Sequence, residues 1–406
     1  MYRIHPDFPP RKPVTGEQLQ AALDAPVLRT AGIPGPLVIA SIRMVRAHGF
    51  TFVITRAADG REGIAIAGGN WRYFHPILSQ KIAPYLVGTD ARDLETTLER
   101  IYVQELNYKI QGLAYWCCVA WVEASVIDLL GRAAGRSMTE LFGPRCHDHV
   151  DYYVASGNRD TTPEREIEIL AERVAEVGAR AVKFKIGGRM SRDADAMEGR
   201  SEELIRRARR YFGDGFAILA DGNGSFSPQT GIRYGRMLEE AGAYFYEEPC
   251  PFDSLWETKE VADALDIPLA FGEQETSLRR FRWLVENDAA QVLQPDIQYN
   301  GGFIRTSRVA RMAALAGVPL TMHISGDIQY AYVLLFASVT PNVLPYQEMK
   351  SGYPETRNFF TTPLQLRDGR MRVPEGPGLG MAFDRDFFDR AEEIFLCEEP
   401  RIFGPV

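Results

Sequence analysis

The sequence predicts an α/β protein whose main part is a (β/α)8-type, TIM-like barrel, preceded by a smaller α+β unit. From His149 to Glu348, eight short apolar runs rich in β-forming residues alternate with helical patterns. Strands that alternate with helices imply a parallel sheet, and eight such units fit a closed barrel. Before them, residues 37–67 alternate apolar and polar side chains around turn signals, which predicts a small antiparallel sheet.

Each predicted element has its own signal. The strand-like runs are DYYVAS, AVKFKI, FAILAD, YFYEE, IPLAFGE, AQVLQPD, VPLTMHI and NVLPYQE. Helical spacers such as EREIEILAERVAEVG and RVARMAALAG lie between them. Upstream, residues 82–142 have a helical period, and one segment there places Val122, Val126, Ile127 and Leu130 on a single apolar stripe.

Composition and charge indicate which binding partners and which cell compartment to expect. The chain has a net charge of −8 and no basic run, which argues against a nucleic acid or an anionic membrane. We find no signal-peptide core and expect no apolar run long enough to span a bilayer, so we predict a cytoplasmic protein. Five cysteines follow no metal-binding spacing and are expected to be reduced and buried.

Six successive runs end in an ionisable residue. In chain order these residues are Asp221, Glu247, Glu273, Asp296, His323 and Glu348. They lie about one βα unit apart, so in a barrel all six reach the rim formed by the carboxyl ends of the strands, where barrel enzymes carry their active sites. A single acidic residue there is more often a helix N-cap, but six in succession predict a functional site.

Three of these carboxylates predict a metal site. Asp221, Glu247 and Glu273 end adjacent strands, and buried carboxylates cannot converge without strong repulsion and a desolvation cost. A hard divalent cation resolves this, and Mg²⁺ prefers carboxylate oxygen and water. We therefore predict that the three bind Mg²⁺. If the strand continues, Glu248 points to the opposite face, and its expected role is an outer contact or an indirect contact to the metal site.

The second run carries two lysines on one strand face. Lys183 and Lys185 are two residues apart in AVKFKIGG, so their ammonium groups lie side by side. Lys185 would face the metal site, and Lys183, one layer deeper, would lower its proton affinity and contact a carboxylate. Lys185 would then be a competent base. The alternative is that both lysines neutralise the carboxylates around them.

His323 and Asp296 predict a second acid–base group. Alone, a histidine near a strand end is more often structural, but Asp296 ends the neighbouring run. A carboxylate that accepts from one ring nitrogen fixes the tautomer and raises the basicity of the other. Glu348 is expected to complete the ring as a hydrogen-bond donor or acid. These groups suit removal of a proton next to a carboxylate, with a cation stabilising the enediolate that forms.

With these residues in order, the sequence resembles the enolase superfamily, specifically its mandelate racemase subgroup, over nearly the whole chain. The motifs that carry the resemblance are AWVEASVIDLLGRAAGRSMTELFG, KFK, DGNGSF, YEEP, FGEQ, QPDIQYNGG, TMHISG and PEGPGLG. Lysine or histidine bases acting with Mg²⁺ are a known feature of this superfamily. The site residues that the resemblance implies are Lys185 as base, Asp221, Glu247 and Glu273 as metal ligands, and Asp296 with His323 as a dyad.

The resemblance also implies a domain organisation. Residues 1–143 would form an α+β capping domain, residues 144–350 the barrel, and residues 351–406 a segment that returns to the capping domain. Two features depart from the pattern: Glu348 is matched only by its position, and residues 187–203 look longer than one connection needs and are expected to shape the rim.

The reaction stays open between several classes. We expect dehydration of a sugar acid or diacid to a 2-keto acid, because His323 can protonate a departing hydroxyl group. Racemisation, epimerisation or cycloisomerisation of a hydroxy acid on the same site is the alternative. A metal-dependent hydrolase is disfavoured because such sites use histidine clusters, and a barrel that only binds a ligand would not need the lysine and the dyad.

Substrate contacts are predicted from two places. Asn223 lies in the DGNGSF motif, and the capping segment GGNWRYFH carries Trp71, Arg72 and Tyr73, which suit a polyhydroxylated anion. The alternative is that these are ordinary loop residues. The substrate is expected to be a small carboxylate, and the protein, by analogy with its relatives, a homo-oligomer.

Overall fold

Two sheets organise the protein. The computed structural model describes residues 7–324, 329–350, 359–384 and 386–405. An antiparallel sheet contains β1 (Ile39–Ala47), β2 (Phe50–Ala57), β3 (Glu62–Ala67) and a strand from near the end of the chain, β12 (Glu392–Cys397). Its order is β12-β1-β2-β3, so the C-terminal strand joins the sheet that residues 39–67 begin. The boundaries proposed between the units stay predictions.

The antiparallel sheet is built as its sequence pattern predicts. Ala47 pairs with Phe50, which leaves a two-residue turn of His48 and Gly49 between β1 and β2. Both turn residues have positive φ, 51° and 86°, the conformation that matches the twist of a tight hairpin. The inner residues of all three strands are buried against the core.

The N-terminal part of the chain also contains helices. They are α1 (Gly16–Asp24), α2 (Trp71–Ile77), α3 (Ala83–Leu86), α4 (Leu94–Val103) and α5 (Leu113–Ala134). The stripe predicted for α5 is buried, and so are the other sides of the helix from Tyr115 to Gly131. Its buried polar residues bind backbone donors instead: Glu123 accepts from the N–H groups of Phe303 and Ile304 at 2.7 and 2.9 Å.

The same helix corrects the expectation about apolar runs long enough to span a bilayer. With 22 residues and a mean hydropathy of 1.6, α5 is long and apolar enough to cross a membrane, although the sequence was expected to hold no such run. However, 89% of its most apolar window is buried inside the protein, as in the core helix of a globular fold.

The barrel follows. Its strands are β4 (His149–Ala155), β5 (Ala181–Lys185), β6 (Ala217–Asp221), β7 (Phe245–Glu247), β8 (Leu269–Phe271), β9 (Val292–Leu293) and β10 (Tyr346–Lys350). Its helices are α6 (Pro163–Val177), α7 (Arg200–Phe212), α8 (Pro228–Glu240), α9 (Leu255–Ala264), α10 (Leu278–Glu286), α11 (Phe303–Leu315) and α12 (Tyr330–Ser338). Neighbouring strands pair in parallel and β10 pairs with β4, which brings the last strand beside the first. A short strand, β11 (Arg370–Arg372), adds to β4 in antiparallel orientation.

The seventh predicted strand, VPLTMHI, forms single bridges rather than a regular strand. Leu320 bridges Leu293 on one side and Val343 on the other, which completes the ring. This run does not form a regular hydrogen-bond ladder with β10, because two of its backbone N–H groups donate to side chains of β10 and not to its carbonyl oxygens. The N–H of Met322 donates to Gln347 Oε1 at 2.9 Å, and that of Ile324 to Glu348 Oε2 at 3.1 Å.

The cysteines are all free, but not all buried. Cys117, Cys118 and Cys250 are buried, whereas Cys146 is exposed and Cys397 is half-buried. The expectation of five buried thiols is therefore wrong for two positions, which lie on the connection before β4 and on the edge strand β12.

Asp128 ties the C-terminal part of the chain to α5. Its buried carboxylate accepts from the N–H groups of Ile64 at 2.8 Å and Leu379 at 2.7 Å, and from Arg132 Nε at 2.6 Å. Gly378 has φ +66°, and a Cβ there would lie 2.1 Å from Asp128 Oδ1. The PEGPGLG motif therefore needs glycine at this position to approach the carboxylate.

Asp128→Ala is expected to lower the free energy of unfolding by about 3 kcal/mol, because removing one partner of a buried pair leaves the others unsatisfied. Urea unfolding followed by circular dichroism measures this. The control Asp59→Ala removes an exposed carboxylate paired with Arg61 and is expected to leave the midpoint unchanged. Equal midpoints for the two variants would contradict the prediction.

Candidate active site

Strand register brings three carboxylates to one point. Asp221 stands opposite Lys185 on one neighbouring strand and opposite Glu247 on the other. Glu273 follows the end of β8, the next strand round the ring. Asp221, Glu247 and Glu273 each offer an oxygen, and these oxygens lie within 4.8 Å of one another. All three residues are buried, so their convergence needs a compensating positive charge.

The donor set fits a divalent cation. Glu247 Oε2 accepts from Lys183 at 2.7 Å and from Gln294 at 2.9 Å. Its other oxygen, Oε1, is buried without a hydrogen-bond partner among the described residues. Burial, together with the charge of Asp221, raises the pKa of Glu247 well above its usual range. A buried, unpartnered carboxylate oxygen beside two others is suited to a hard cation such as Mg²⁺.

Glu248 lies just beyond the end of β7. Its φ is +41°, so the strand ends at Glu247 and the alternation of faces ends with it. The carboxylate is buried, and burial together with the charges of Glu273 and Asp221 raises its pKa. The condition for the opposite face, a strand that continues, is therefore not met, and the role of Glu248 as a contact outside the three ligands stays a prediction.

Lys183 lies beneath the carboxylates and joins them. Its Nζ is 2.7 Å from Glu247, 3.0 Å from Glu348 and 3.9 Å from Asp221. Burial alone would lower the pKa of Lys183, but the charges of Glu247 and Glu348 raise it well above its usual value. Lys183 therefore stays an ammonium group that neutralises carboxylates, which is the alternative left open by the sequence.

Lys185 is one layer nearer the rim. Its ammonium group contacts Asp221 Oδ2, and its side chain lines the cavity. Burial would raise the pKa of Asp221, but the charges of Lys185 and then Lys183 lower it to about 2. From behind, the buried Arg200 donates to the carbonyl oxygen of Lys185 at 2.9 Å and fixes the end of β5.

His323 and Asp296 form the predicted pair. Nδ1 of His323 is 2.8 Å from Asp296 Oδ2. The other carboxylate oxygen of Asp296 accepts from the N–H groups of Gln298 at 2.8 Å and Tyr299 at 3.0 Å, so the carboxylate cannot turn. Because Asp296 is an acceptor, the network assigns the proton to Nδ1 and leaves the Nε2 lone pair facing the cavity.

Glu348 lies in the predicted ring. It accepts from the N–H of Ile324 at 3.1 Å and pairs with Lys183 at 3.0 Å. Burial would raise the pKa of Glu348, but the charge of Lys183 and then that of Lys350 lower it well below its usual range. These contacts favour the ionised carboxylate, and the donor or acid role expected for Glu348 stays a prediction.

A cavity of about 600 Å³ opens above these groups. Its lining residues are Leu113, Ala155, Ser156, Gly157, Asn158, Lys185, Arg189, Met190, Asn223, Glu273, Gln274, Tyr299, His323, Glu348 and Lys350. Asn223 is where it was predicted, and its Oδ1 accepts from Arg159 at 2.7 Å. The cavity is polar on the sides toward β5, β6 and β10, as a hydroxylated, anionic substrate requires.

The capping residues predicted to touch the substrate lie elsewhere. Trp71, Arg72 and Tyr73 are absent from the lining formed by the described residues. They begin α2, where Trp71 packs against the core, Arg72 stacks on Trp71 at 5.4 Å, and Tyr73 is 80% exposed. The prediction that they contact the substrate is therefore not supported by their positions; the capping unit contributes Leu113 instead.

The long connection after β5 reaches the rim. Arg189 and Met190 line the cavity, with positive φ values of 64° and 49°. Their N–H groups donate to Ser225 Oγ at 2.9 Å and to the carbonyl oxygen of Asn223 at 3.0 Å. These hydrogen bonds connect the segment 187–203 to the loop that follows Asp221.

The sequence reasoning missed Lys350. Its Nζ lies 3.0 Å from His323 Nε2, and the ammonium group also contacts the carbonyl oxygen of Ile324. Lys350 is two residues after Glu348 and therefore on the same strand face. The spacing that singled out the two lysines of β5 was available here as well.

Buried carboxylates beside an amine and an Asp-supported imidazole are typical of barrel enzymes that remove a proton next to a carboxylate. The family described as enolase C-terminal domain-like matches residues 166–387, more than half of the chain. The protein belongs to the enolase superfamily and to its mandelate racemase subgroup, which confirms the resemblance.

Relatives and a solved structure agree with this placement. L-talarate/galactarate dehydratase of Salmonella typhimurium is 28% identical over 333 residues, 80% of this chain and 78% of that one. Arabinonate dehydratase of Saccharolobus solfataricus is 26% identical and covers 86% of this chain and 92% of its own. A magnesium-complexed mandelate racemase/muconate lactonizing protein from Paracoccus denitrificans superposes with a TM-score of 0.80, at 25% identity over 88% of this chain and 99% of that one.

Proposed function

We propose that the protein dehydrates a sugar acid or diacid to a 2-keto acid in a Mg²⁺-dependent reaction. The observation that carries the proposal is the pairing of Lys185 with a supported His323 around one cavity that also contains a carboxylate cluster. The named dehydratases among its relatives favour this reaction over others of the subgroup.

Asp221, Glu247 and Glu273 are the residues proposed to hold Mg²⁺. When bound, the ion would supply positive charge to the substrate carboxylate, which acidifies the neighbouring C–H. Lys183 has a supporting role: it neutralises Glu247 and Glu348 from below, so the cluster keeps its shape.

The protein groups then move the protons. Lys185 or His323 Nε2 takes the proton from Cα, according to the face on which it lies. The Cα–H electron pair moves toward the carboxylate to give an enediolate, and it then forms a double bond to Cβ as the Cβ–O bond breaks. His323 Nε2 gives a proton to the departing oxygen, which leaves as water. This is the Cα proton when His323 is the base, and a proton taken up from solvent beforehand when Lys185 is the base. The resulting enol becomes the 2-keto acid without any change of oxidation state elsewhere. Asp296 holds the imidazole in position throughout.

A panel of aldonates, aldarates and simple hydroxy acids tests the proposal. Each acid is incubated with the enzyme and Mg²⁺, and 2-keto acid is trapped with semicarbazide. Exchange of the Cα hydrogen in D₂O is followed by NMR in parallel. We expect keto acid from at least one sugar acid. Exchange or inversion without keto acid would point to the second candidate, a racemase or epimerase. If no acid gives keto acid or Cα exchange, the proposed removal of the Cα proton is rejected.

The remaining features are inferred by analogy. The substrate is a small carboxylate, in keeping with the acid sugars named for the relatives. We expect the enzyme to act in the cytoplasm as a homo-oligomer, which sedimentation velocity tests, with no nucleic acid or membrane partner.

A further inference from the structure

Lys350 lies at the substrate side of His323. It is the last residue of β10, two positions after Glu348, and it pairs in register with Ala155 on β4. Both Lys350 and Ala155 line the cavity. The side chain of Lys350 is 36% exposed, so the ammonium group reaches into the cavity instead of lying beneath it as Lys183 does.

Within residues 7–324, 329–350, 359–384 and 386–405, the carboxylate nearest to Lys350 is more distant than its two hydrogen-bond partners. These partners are His323 Nε2 at 3.0 Å and the carbonyl oxygen of Ile324. Glu348 is 3.8 Å away, and its carboxylate already accepts from Ile324 and pairs with Lys183. An ammonium group has three donors, and these two contacts engage two of them, so one donor is left for a ligand.

The position of this ammonium group matters because Nε2 is the nitrogen that must meet the substrate. Any group that His323 protonates has to lie next to Nε2, and therefore next to Lys350 Nζ as well. A racemase needs only one nitrogen there, since its substrate loses and regains a proton at one carbon. An elimination needs more, because negative charge develops on an oxygen that leaves.

Building on the proposed dehydration, we propose that Lys350 is a catalytic residue of the elimination step. Its ammonium group donates a hydrogen bond to the β-hydroxyl group that departs on the His323 side. The Cβ–O bond breaks, and His323 Nε2, which carries either the Cα proton or a proton taken up from solvent, protonates the oxygen to give water. Lys350 keeps its own protons. Lys350 stabilises the oxygen while its charge develops, and it has no part in taking the proton from Cα.

This division of labour predicts an uneven effect of Lys350→Met. Loss of a donor to a developing oxyanion costs about 10²–10³-fold, so keto acid formation is expected to fall by about that factor. Removal of the Cα proton continues, and the enediolate returns to substrate. In D₂O, the recovered substrate is therefore expected to gain deuterium at Cα at a rate within about 3-fold of wild-type turnover, far below the cost of losing a general base.

Two further variants make the test specific. Lys350→Arg keeps a cationic donor and is expected to restore much of the keto acid rate. Lys259→Met removes a half-buried lysine of α9 that pairs with Asp263, and it is expected to leave both rates at wild-type values. A Cα-deuterated substrate adds a second readout: its isotope effect on keto acid formation should shrink in Lys350→Met, because proton removal becomes reversible.

The outcomes separate this inference from the proposed function. If the wild type yields no keto acid from any acid, the proposed dehydration fails and Lys350 has no elimination to assist. If the wild type is active but Lys350→Met lowers exchange and keto acid equally, Lys350 only supports the fold and the inference is overturned. Unchanged keto acid formation in Lys350→Met overturns it as well.

Discussion

Lys185→Met is expected to lower kcat/KM for keto acid formation by about 10²–10⁴-fold with a substrate whose Cα proton faces β5. The reason is the position of Lys185, whose ammonium group lines the cavity and touches the Asp221 carboxylate. His323→Asn is expected to cost at least as much, because His323 is proposed to protonate the departing hydroxyl in every case. Keto acid formation and Cα exchange in D₂O, measured for each variant, separate the two roles.

The variant Lys185→Arg tests whether Lys185 acts as a general base or only as a positive charge that neutralises carboxylates. Arginine keeps a positive charge next to Asp221 but does not give up a proton near neutral pH. If Lys185 is the base, the arginine variant is as inactive as the methionine variant. If Lys185 only neutralises carboxylates, arginine retains most of the activity. Both variants should melt near the wild-type temperature. If both Lys185→Met and His323→Asn then still exchange the Cα proton, neither residue is needed to remove it, and the proposed mechanism is contradicted.

The sequence predicts the site well where barrel geometry alone decides. Each parallel strand advances the chain by one βα unit and ends at the same rim, so the residues that end successive runs must meet. Asp221 and Glu247 are direct partners in register, and Asp296 bridges His323. In a regular barrel, the spacing of residues along the chain is therefore enough to predict which side chains lie close together, even when the loop structures are not known.

The sequence predicts less where the backbone leaves that geometry. Glu248 has a positive φ, so strict alternation no longer decides which face its side chain takes. Lys183 contacts buried carboxylates as the sequence predicts, and its effect on the proton affinity of Lys185 stays a prediction. Lys350 could have been found by the same two-residue spacing, whereas the solvent-facing placement of Tyr73 depends on how α2 packs, which no local pattern specifies.

Mg²⁺ is expected to stabilise the protein in a way that depends on Glu247. A ligand that binds only the folded state adds about 2.7 kcal/mol when its concentration is 100 times Kd. The wild type should therefore melt several degrees higher in millimolar Mg²⁺ than in EDTA. Glu247→Gln keeps the shape of the side chain but removes the charge of a buried, partly unpartnered carboxylate, so most of that increase should be lost. Differential scanning calorimetry over a Mg²⁺ titration measures it.

Glu275→Gln is the matched control for this titration. Glu275 is also buried and follows the neighbouring strand β8, but its carboxylate pairs with Arg280 at 3.1 Å and lies outside the three-residue cluster. It should therefore show the wild-type response to Mg²⁺. Because the readout is the melting temperature and not turnover, loss of catalysis cannot imitate loss of binding. An equal Mg²⁺ response in Glu247→Gln and Glu275→Gln would remove Glu247 from the metal site, and with it the arrangement on which the proposed proton removal depends.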